Sequence, residues 1–576
     1  MHNFKIWAPR ARNMAVLISG ISYPMQCQEG GWWTGEVEEA GPGTDYFFSV
    51  NGSEPIPDPR SPYQPYGVNG ASRLIDHEAF KWTDREWRPG PLSNAVLYEL
   101  HVGTFTPAGT FRSTIECLDH LVELGVTHVE LMPVNEFSGD WGWGYDGVDL
   151  YAPYHHYGTP DDLKELVNAC HSRGLAVLLD VVYNHFGPVG NYLDRFAPYF
   201  TNAYKTPWGP AVNLDHAGSH EVRRFFAENA LMWLRDYHFD GLRLDAIHAL
   251  YDRSAIHFLE FLSSHVQALA SHLKRDWVLI AESDLNNPRV VTNRCAGGLG
   301  MDTQWSDDFH HALHTALTGE ANGYYEDFGS LEDLAKSLKQ AFVYDGIYSR
   351  HRDRLHGRSA VGLSGHRFLG YAQNHDQIGN RAQGERLGQL ISLGRQKIAA
   401  ALVLTSPFVP MLFQGEEFGA STPFQYFTHH NDPEVSRAVS QGRCNEFAAF
   451  GWEPDSVPDP QDPATFYRSK LRWDEVNREP HSSLLAWHKR LIALRRSTPA
   501  LTDGHMEAVE VRFDQRAQWF TVKRSRVEVI CNLASERQSI PISNTPSSVL
   551  SSDDDWRLSP GTIELPSDSA AISTAA

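Results

Sequence analysis

The chain has 576 residues, more than one hydrophobic core normally organises, so two to four domains are expected. Hydrophobic residues make up 41% and charged residues 21%, as in an ordinary globular protein. The formal charge of -21 argues against nucleic acid as a partner, because its phosphates would be repelled, and suits a neutral substrate.

Cysteine use and hydropathy bear on the compartment. The six cysteines are scattered, without the close pairs of a metal site, which favours reduced thiols. No apolar run reaches membrane-spanning length, and the opening MHNFKIWAPR lacks an apolar signal core. We therefore expect a cytoplasmic protein that makes no membrane contact and is a monomer or a simple homo-oligomer.

The first part of the chain, residues 1–92, is predicted to be a small β domain. FKIWAP, MAVLIS and DYFFSVNG are short runs of β-forming residues, and turn-rich pieces such as EEAGPGT separate them. Nothing in these runs suggests chemistry, so a β-sandwich that packs or binds is the expectation.

Between residues 93 and 495, strand-like runs alternate with amphipathic helices. One helix is well marked, since Thr159 can cap it and Pro160 suits its first position. Its predicted buried stripe is Leu163, Leu166, Val167 and Cys170. Another helix is expected around Ser113 to Leu124.

Eight strand candidates lie between these helical segments. They are VLYELHVGTF, VTHVELMPV, AVLLDVVYNH, GLRLDAIH, WVLIAES, DTQWSDD, RFLGYAQNHD and FVPMLFQGEE. Repeated βα units with apolar strands predict an α/β fold, a parallel (β/α)8 barrel whose active site lies at the C-terminal ends of the strands.

The end of the chain, residues 496–576, is predicted to be a second small β domain. MEAVEVRF, QWFTVKR and RVEVICNL are strand-like. The final SDSAAISTAA is expected to be a frayed tail.

The run GLRLDAIH contains the first chemical signal. On a strand, Arg243 and Asp245 share a face while Leu242 and Leu244 pack behind them. A guanidinium beside a carboxylate favours its ionised form, which a carboxylate nucleophile needs. A structural ion pair at a strand end is the alternative, because such pairs also perturb pKa values.

Polar residues gather at the same end of several predicted strands. The residues are Asn184, His185, Asp245, Glu282, His375 and Asp376. Scattered ion pairs would not produce this one-sided placement, which indicates a site at the barrel mouth.

Four segments, DVVYNH, GLRLDAIH, AESD and QNHDQIGN, resemble in order and placement the four signature regions of the α-amylase family of glycoside hydrolases. WGYDGVDLYAPYHHYGTPDDLKELV also fits that family, so the resemblance extends over most of the chain. It implies a TIM barrel between an Ig-like, carbohydrate-binding-module-like N-terminal sandwich and a small C-terminal β-sandwich. It implies no cofactor; relatives can bind a cation at the position of Asn184, but here we expect no metal and a structural role for that residue.

The resemblance also implies the catalytic roles. Asp245 aligns with the nucleophile, Glu282 with the acid/base, and Asp376 with the carboxylate that holds the sugar and steadies the transition state. Retaining hydrolysis needs one ionised and one protonated carboxyl group roughly 5–5.5 Å apart. Arg243 would keep Asp245 ionised, whereas partial desolvation and nearby carboxylates would raise the pKa of Glu282.

Further residues are implied to bind the sugar at the cleavage subsite. His185 and His375 resemble histidines that hydrogen-bond it, and Tyr145 resembles the aromatic platform beneath it, with Asp146 alongside. Asp180 is expected to brace the loop from beneath. Trp141 and Trp143 are either core residues or further platforms.

The stretches AESDLNNPRVV and GMDTQWSDDFHHALHTALTGEANGYYEDF are most similar to trehalose-releasing members of the family. The implied substrate is an α-glucan that ends in trehalose, cut at the α-1,4 bond beside it. Recognition needs polar groups matched to trehalose, since an unpaired group penalises the wrong sugar. The candidates for the trehalose end are His248, Asp307, Asp308, His310, His311, Gln377 and Asn380, and about half of the DDFHH segment is expected to touch ligand. Arg243 is counted among the substrate-binding residues as the partner of Asp245.

Three other functions stay open. On the same scaffold, a branching transglycosylase would pass the glycosyl group to a sugar hydroxyl, and a general α-glucanase would cut uncapped chains equally well. A non-enzymatic scaffold would only bind glycan, but three carboxylates converging at one barrel mouth are costly without a use.

Overall fold

The computed structural model describes residues 1–448 and 457–575. Its centre is a closed barrel of eight parallel strands, which confirms the predicted architecture. The strands are β1 (Leu97–Leu100), β2 (His128–Leu131), β3 (Ala176–Val181), β4 (Gly241–Leu244), β5 (Val278–Ala281), β6 (Thr303–Trp305), β7 (Phe368–Gly370) and β8 (Val409–Phe413). Each strand pairs with the next, and β8 pairs with β1. Because both faces are covered, nearly every strand residue is buried.

Long helices surround the barrel. They are α1 (Leu118–Leu124), α2 (Pro160–Ser172), α3 (Ser219–Asp236), α4 (Phe258–Leu273), α5 (Asp307–Thr318), α6 (Leu331–Gln340), α7 (Leu393–Thr405) and α8 (His481–Ser497). Helix α2 begins as predicted: the Thr159 hydroxyl accepts a hydrogen bond from the Asp162 N–H, Pro160 is the first residue, and the predicted stripe is buried. Other helices are Val102–Phe105, Phe111–Ile115, Leu193–Phe196, His375–Gly379, Leu387–Leu390, Pro433–Ala448 and Pro463–Arg468.

The single helix predicted around Ser113 to Leu124 is wrong, because the chain forms Phe111–Ile115 and then α1. The Ser113 and Thr114 hydroxyls both donate to the Thr110 carbonyl oxygen, at 2.9 and 3.0 Å. Hydroxyls that bond back to the preceding turn bend helices, and here the helix ends one residue later.

Antiparallel strands precede the barrel and interrupt its loops. The N-terminal part has two small sheets, one of His2–Trp7, Trp32–Val37 and Gln26–Cys27, the other of Ile21–Pro24, Met14–Ile18, Asp45–Val50 and Ser72–Arg73. Three hairpins lie within the barrel region: Asn135–Phe137 with Gly147–Pro153, Phe200–Thr206 with Gly209–Val212, and Asp345–Ser349 with Arg354–Gly357.

The C-terminal part also has two sheets. One contains, in spatial order, Val509–Asp514, Trp519–Arg524, Val527–Asn532, Ser569–Ala575 and Pro546–Ser551. The other contains Gln538–Pro541, Thr562–Leu565 and Arg557–Ser559. The three strands predicted here are confirmed.

The predicted frayed tail is wrong. Ser569–Ala575 is a strand hydrogen-bonded on both edges, to Val527–Asn532 and to Pro546–Ser551. Ala570, Ala571 and Ile572 are buried in the apolar interior, and Arg395 of α7 forms an ion pair with Asp568 (Nε to Oδ1, 2.9 Å) just before the strand. Small residues carry little β-propensity, so the strand is specified by its neighbours rather than by its own sequence.

Across residues 1–448 and 457–575, no helix combines the length and the apolar character needed to cross a bilayer.

A buried ion cluster fastens the segment before β1 to the barrel. The His171 ring of α2 lies between two carboxylates, with Nδ1 2.8 Å from Asp84 Oδ2 and Nε2 3.0 Å from Asp240 Oδ2. The Trp87 ring stacks on His171 at 4.8 Å and its N–H donates to Asp240 Oδ1. Both ring nitrogens can donate only in the imidazolium form. Burial opposes that form, but the hydrogen bonds to Asp240 and Asp84 outweigh it and raise the pKa of His171.

Replacing Ile572 with alanine tests the C-terminal strand. We expect unfolding free energy to fall by about 2–4 kcal/mol, because the change leaves a cavity in a packed interior. Chemical denaturation measures it, with exposed Ile256→Ala as the matched control. A frayed tail would predict no difference between the two variants.

The His171 cluster predicts a pH-dependent loss of stability for His171→Gln. A histidine whose pKa is raised in the folded protein adds its full contribution to folding stability below about pH 6.5, the pKa of the unfolded chain. That contribution falls as the pH rises and is lost above the pKa of the folded state. The variant should therefore lose about 1–3 kcal/mol at pH 6 and clearly less at pH 9. Asp84 acts in the opposite sense: burial raises its pKa, but the bonded His171 and His238 lower it overall, so its contribution is lost in acid.

Denaturant unfolding at both pH values checks this prediction, with the exposed His265→Gln as control. An equal loss at pH 6 and pH 9 would show that His171 is neutral in the folded protein.

Candidate active site

A buried arginine organises the mouth of the barrel. Arg243, on β4, is fully buried, and its Nη1 donates to both oxygens of Asp180 at 2.9 and 2.7 Å and to Asp245 Oδ1 at 2.9 Å. The guanidinium also lies 4.1 Å from the ring centre of Trp305. The sequence-based prediction that Arg243 and Asp245 share a face is confirmed. Because Asp180 and Arg243 are direct partners on β3 and β4, strand register fixes the contact.

Glu282 lies just after β5, within reach of the same arginine. Its Oε2 is 3.7 Å from Arg243 Nη2 and accepts a hydrogen bond from the Ala246 N–H at 2.5 Å. Ala246 has φ +38°, a left-handed conformation that is costly for a residue with a Cβ. Such strain is typical of functional sites, and here it turns the chain after β4 towards Glu282.

The two carboxyl groups sit in different electrostatic surroundings. Burial raises the pKa of Glu282 well above its usual range; Arg243 opposes this, while Asp245, Asp376 and Asp307 add to it. Asp245, in contrast, is bonded directly to the guanidinium at 2.9 Å. This asymmetry suits one ionised and one protonated group.

A second set of contacts orients Asp245. Asn184 Nδ2 donates to Asp245 Oδ2 at 2.9 Å, and Asn184 Oδ1 is hydrogen-bonded to His185 Nδ1. The ring of Trp208 stacks on His185, with centroids 4.3 Å apart and planes 11° apart. Trp208 is 47% exposed at a hairpin tip. Sequence reasoning missed this residue; the available signal was a tryptophan inside the turn-like TPWGP.

Asp376 follows β7 in the short helix His375–Gly379. Asn374 caps that helix by accepting a hydrogen bond from the Gln377 N–H at 2.8 Å. Asp376 Oδ1 lies 3.6 Å from His375 Nε2 and accepts a hydrogen bond from Asn380 Nδ2 at 3.3 Å. The carboxylate thus faces the same mouth as Glu282, whose pKa it raises.

His375 links this helix to β1. Its Nδ1 is hydrogen-bonded to Glu99, its backbone N–H donates to Glu99 Oε2 at 3.0 Å, and its Nε2 lies 2.8 Å from the Tyr145 hydroxyl. The Tyr145 ring stacks on His375 at 5.1 Å, and its hydroxyl donates to Asp180. Burial lowers the pKa of His375, but the charges of Glu99 and Asp376 raise it to about 9 overall. Glu99 was missed, since nothing in its sequence context marks it.

Two neighbouring aspartates of the DDFHH segment have different surroundings. Asp307 Oδ1 accepts hydrogen bonds from the Tyr371 hydroxyl at 2.5 Å and from Gln377 Nε2 at 3.3 Å. Asp307 is also one of the carboxylates that surround Glu282 and raise its pKa. Asp308 Oδ2 instead accepts hydrogen bonds from the Val343 and Tyr344 N–H groups, at 2.6 and 2.9 Å, and holds the chain that follows α6.

The histidines of that segment also differ. His310 Nδ1 is 2.9 Å from the Ala372 carbonyl oxygen, and its Nε2 is 3.3 Å from the Tyr325 hydroxyl. Buried His311 Nδ1 has no hydrogen-bond partner among the described residues. His311 therefore retains a buried group that a ligand could satisfy, whereas the ring nitrogens of His310 are both used within the protein.

The remaining candidates line the rim. His248 Nδ1 is 3.9 Å from Asp284 Oδ1, and Arg352 from the hairpin between α6 and β7 bonds the same carboxylate at 3.0 Å. Asp146 Oδ2 accepts a hydrogen bond from the Thr428 hydroxyl at 3.2 Å and lies 3.6 Å from His430 Nε2.

The two tryptophans that could be core or platform take different places. Trp143 is 5% exposed and its N–H donates to the Gln425 carbonyl oxygen at 3.0 Å, so it is a core residue. Trp141 is partly exposed and stacks on His429 at 4.3 Å.

Residues 76–207 match the family model of the alpha amylase catalytic domain, and residues 504–572 match a domain of unknown function, DUF3459. Together with the closed barrel, this match defines a glycoside hydrolase of the α-amylase class.

A malto-oligosyltrehalose trehalohydrolase from Rhizobium sp. (strain M-11) is 47% identical over 99% of this chain and 97% of its own length. The one from Saccharolobus solfataricus is 46% identical over 90% and 89%. The chain belongs to the malto-oligosyltrehalose trehalohydrolase family. The crystal structure of an alpha amylase candidate from Salmonella typhimurium covers 100% of this chain and 97% of its own, with 37% identity and a TM-score of 0.91.

The contacts of His375 predict the effect of Glu99→Gln. Glutamine keeps a carbonyl acceptor but removes the negative charge, so the pKa of His375 should fall by at least one unit from about 9. An NMR titration of the imidazole, assigned with a His375→Gln variant, measures it. An unchanged pKa would mean that Asp376, not Glu99, holds the proton on His375.

Proposed function

We propose that this protein hydrolyses the α-1,4-glucosidic bond between trehalose and the maltooligosyl chain of maltooligosyltrehalose, with retention of configuration. The observation that supports it best is the arrangement of Arg243 with two carboxyl groups of opposite character. Family membership supplies the substrate class, because the relatives are named for this reaction. No cofactor is part of the proposal.

The first displacement uses both carboxyl groups. The Asp245 carboxylate attacks the anomeric carbon of the glucose next to trehalose, and Glu282 gives its proton to the glycosidic oxygen. The carbon–oxygen bond breaks, free trehalose leaves, and the maltooligosyl group is held as an ester on Asp245. Arg243 donates to Asp245 at 2.9 Å and offsets the negative charge of the attacking carboxylate, and burial raises the pKa of Glu282, which favours its protonated form.

The second displacement reverses these roles. Glu282, now ionised, takes a proton from a water molecule whose oxygen attacks the same anomeric carbon. The ester bond to Asp245 breaks, and the released maltooligosaccharide has the original α configuration. Two inversions at one carbon give net retention.

Neighbouring residues position the sugar at the reacting carbon. Asp376 accepts hydrogen bonds from sugar hydroxyls and steadies positive charge in the transition state. His375, whose two ring nitrogens are bonded to Glu99 and Tyr145, holds Tyr145 and Asp376 in place beside the sugar. His185 supplies a donor next to Asp245. Tyr145 forms the platform under the ring, and Asp146 borders it.

Recognition of the trehalose end falls to a second group of residues. Asp307 and Gln377 are bonded to each other and lie near Glu282, so they are best placed to contact the leaving sugar. His311, Asn380 and His248 complete the proposed wall. Asp308 and His310 are proposed only to hold the surrounding chain in place, since their polar atoms are bonded within the protein.

We also propose a cytoplasmic location and a three-part division of the chain. Described cysteines such as Cys170 and Cys531 are buried thiols rather than disulfides, as expected in a reducing compartment. The proposed boundary at residue 92 lies after the N-terminal sheet, whose last strand ends at Arg73, and the one at residue 495 lies two residues before the end of the helix His481–Ser497.

The catalytic proposal predicts the effect of Glu282→Gln. Without a protonated acid the leaving oxygen cannot be protonated, so kcat should fall roughly 10²–10⁴-fold. Trehalose release from maltooligosyltrehalose, followed by chromatography, measures it, with the exposed Glu332→Gln as control.

The same assay on wild-type protein separates the related activities. Trehalose from the capped chain, with little cleavage of a maltooligosaccharide of equal length, is the expected result. Equal cleavage of both would indicate a general α-glucanase, and new branched or longer chains would indicate a transglycosylase.

A further inference from the structure

A cavity outside the catalytic mouth has the chemistry of a sugar site. It has a volume of about 880 Å3 and lies between the chain that follows β8 and the short helix Pro463–Arg468. Its lining includes Pro107, Thr422, Pro423, Tyr467, Lys470 and Arg472. Mostly apolar walls with a few polar groups are typical of small-molecule sites.

Tyr467 is an exposed aromatic residue in the lining of this cavity. It is 61% exposed, although its ring centroid lies only 5.2 Å from that of Phe466. Its open face and its hydroxyl can meet the C–H face and the hydroxyl edge of a glucose unit, because tyrosine is apolar in its body and polar at its tip.

Lys470 supplies donors beside this aromatic surface. Its ammonium lies 4.8 Å from the Phe466 ring centre and 5.8 Å from that of Tyr467, and it donates to the Pro107 carbonyl oxygen at 2.7 Å. An ammonium has three N–H groups, so two can serve hydroxyls.

The lining carries charges of both signs, Asp462 beside Arg468, Lys470 and Arg472, and its cations already have partners within the protein. The nearby Arg472 already lies 3.9 Å from Glu475, and Lys470 is committed to a carbonyl group and two rings. The whole chain carries a charge of -21, which repels anions.

A row of aromatic rings joins this cavity to the catalytic mouth. From Tyr145 the row passes to Trp143 at 6.4 Å, then to Phe427 at 6.5 Å, and on to Phe466 at 5.2 Å, next to Tyr467. Ring contacts thus connect the wall of the cavity to Tyr145 at the catalytic mouth.

We propose that the Tyr467 groove, lined by Tyr467, Lys470 and Pro423, binds an α-1,4-glucan chain. The inference depends on the proposed function only in taking an α-glucan as the ligand. The bound chain is either the far end of the maltooligosyl chain held at the catalytic mouth or a separate glucan molecule.

The test is calorimetric titration of the full chain with maltoheptaose and, separately, with maltotriose. A Glu282→Gln background slows turnover, and chromatography verifies that the sugar is still intact after the titration, so a failure of the catalytic proposal is detected independently. Tyr467→Ala removes the platform from an exposed position, and Tyr66→Ala, which is also 61% exposed but lies in the N-terminal part, is the matched control.

We expect Tyr467→Ala to weaken maltoheptaose binding roughly tenfold, with Tyr66→Ala unchanged. Weakening of one binding event for maltoheptaose but not maltotriose would identify the far end of the same chain. Loss of a second event, with the first intact, would identify a separate chain. Identical titrations for Tyr467→Ala and its background would overturn the proposal.

Discussion

The geometry of the barrel mouth depends on one buried guanidinium. Arg243 is removed from water, and its charge must be met by carboxylates within the protein. Removing one partner of such a buried pair commonly costs about 3–5 kcal/mol, because the remaining charge stays uncompensated. Asp180 and Asp245 meet this charge at 2.7 and 2.9 Å, and Glu282 lies 3.7 Å away. The distances follow from the parallel register of β3, β4 and β5, so barrel closure and site geometry have a common cause.

That difference in distance gives two like groups different chemistry. Both carboxyl groups are largely buried, but Asp245 is paired directly with Arg243 and Glu282 lacks so close a partner. The left-handed turn at Ala246 links the two, since the residue after Asp245 donates its N–H to Glu282. Backbone strain at one residue thereby fixes the nucleophile candidate and the acid candidate relative to each other. Enzymes that act on different substrates can keep the arrangement of Arg243, Asp245 and Glu282. They can then vary the residues around it, at the positions of Asp307, Gln377 and Arg352.

The sequence predicted the structural features that depend on neighbouring residues or on a repeated pattern. Apolar runs at regular intervals predicted eight strands, Thr159 with Pro160 predicted a helix start, and alternation on β4 predicted the pairing of Arg243 with Asp245. It could not predict contacts between distant segments, such as Glu99 with His375, because nothing near Glu99 in the chain marks the partner. Asp307 and Asp308 are adjacent, yet a helical step of about 100° turns them to different surroundings, and sequence alone does not say which one faces the mouth. The strand Ser569–Ala575 was missed for a similar reason. Its small residues have little β-propensity, and the strand forms because two distant strands hydrogen-bond to its edges.

The central claim is that Asp245 and Glu282 act from opposite sides of one carbon in two displacements. Proton NMR of the anomeric signals during the first minutes of hydrolysis tests this directly, before mutarotation mixes the products. We predict that the new reducing end of the maltooligosaccharide appears first as the α anomer. Initial appearance of the β anomer would mean a single displacement by water, and it would contradict both the ester on Asp245 and the part assigned to Arg243.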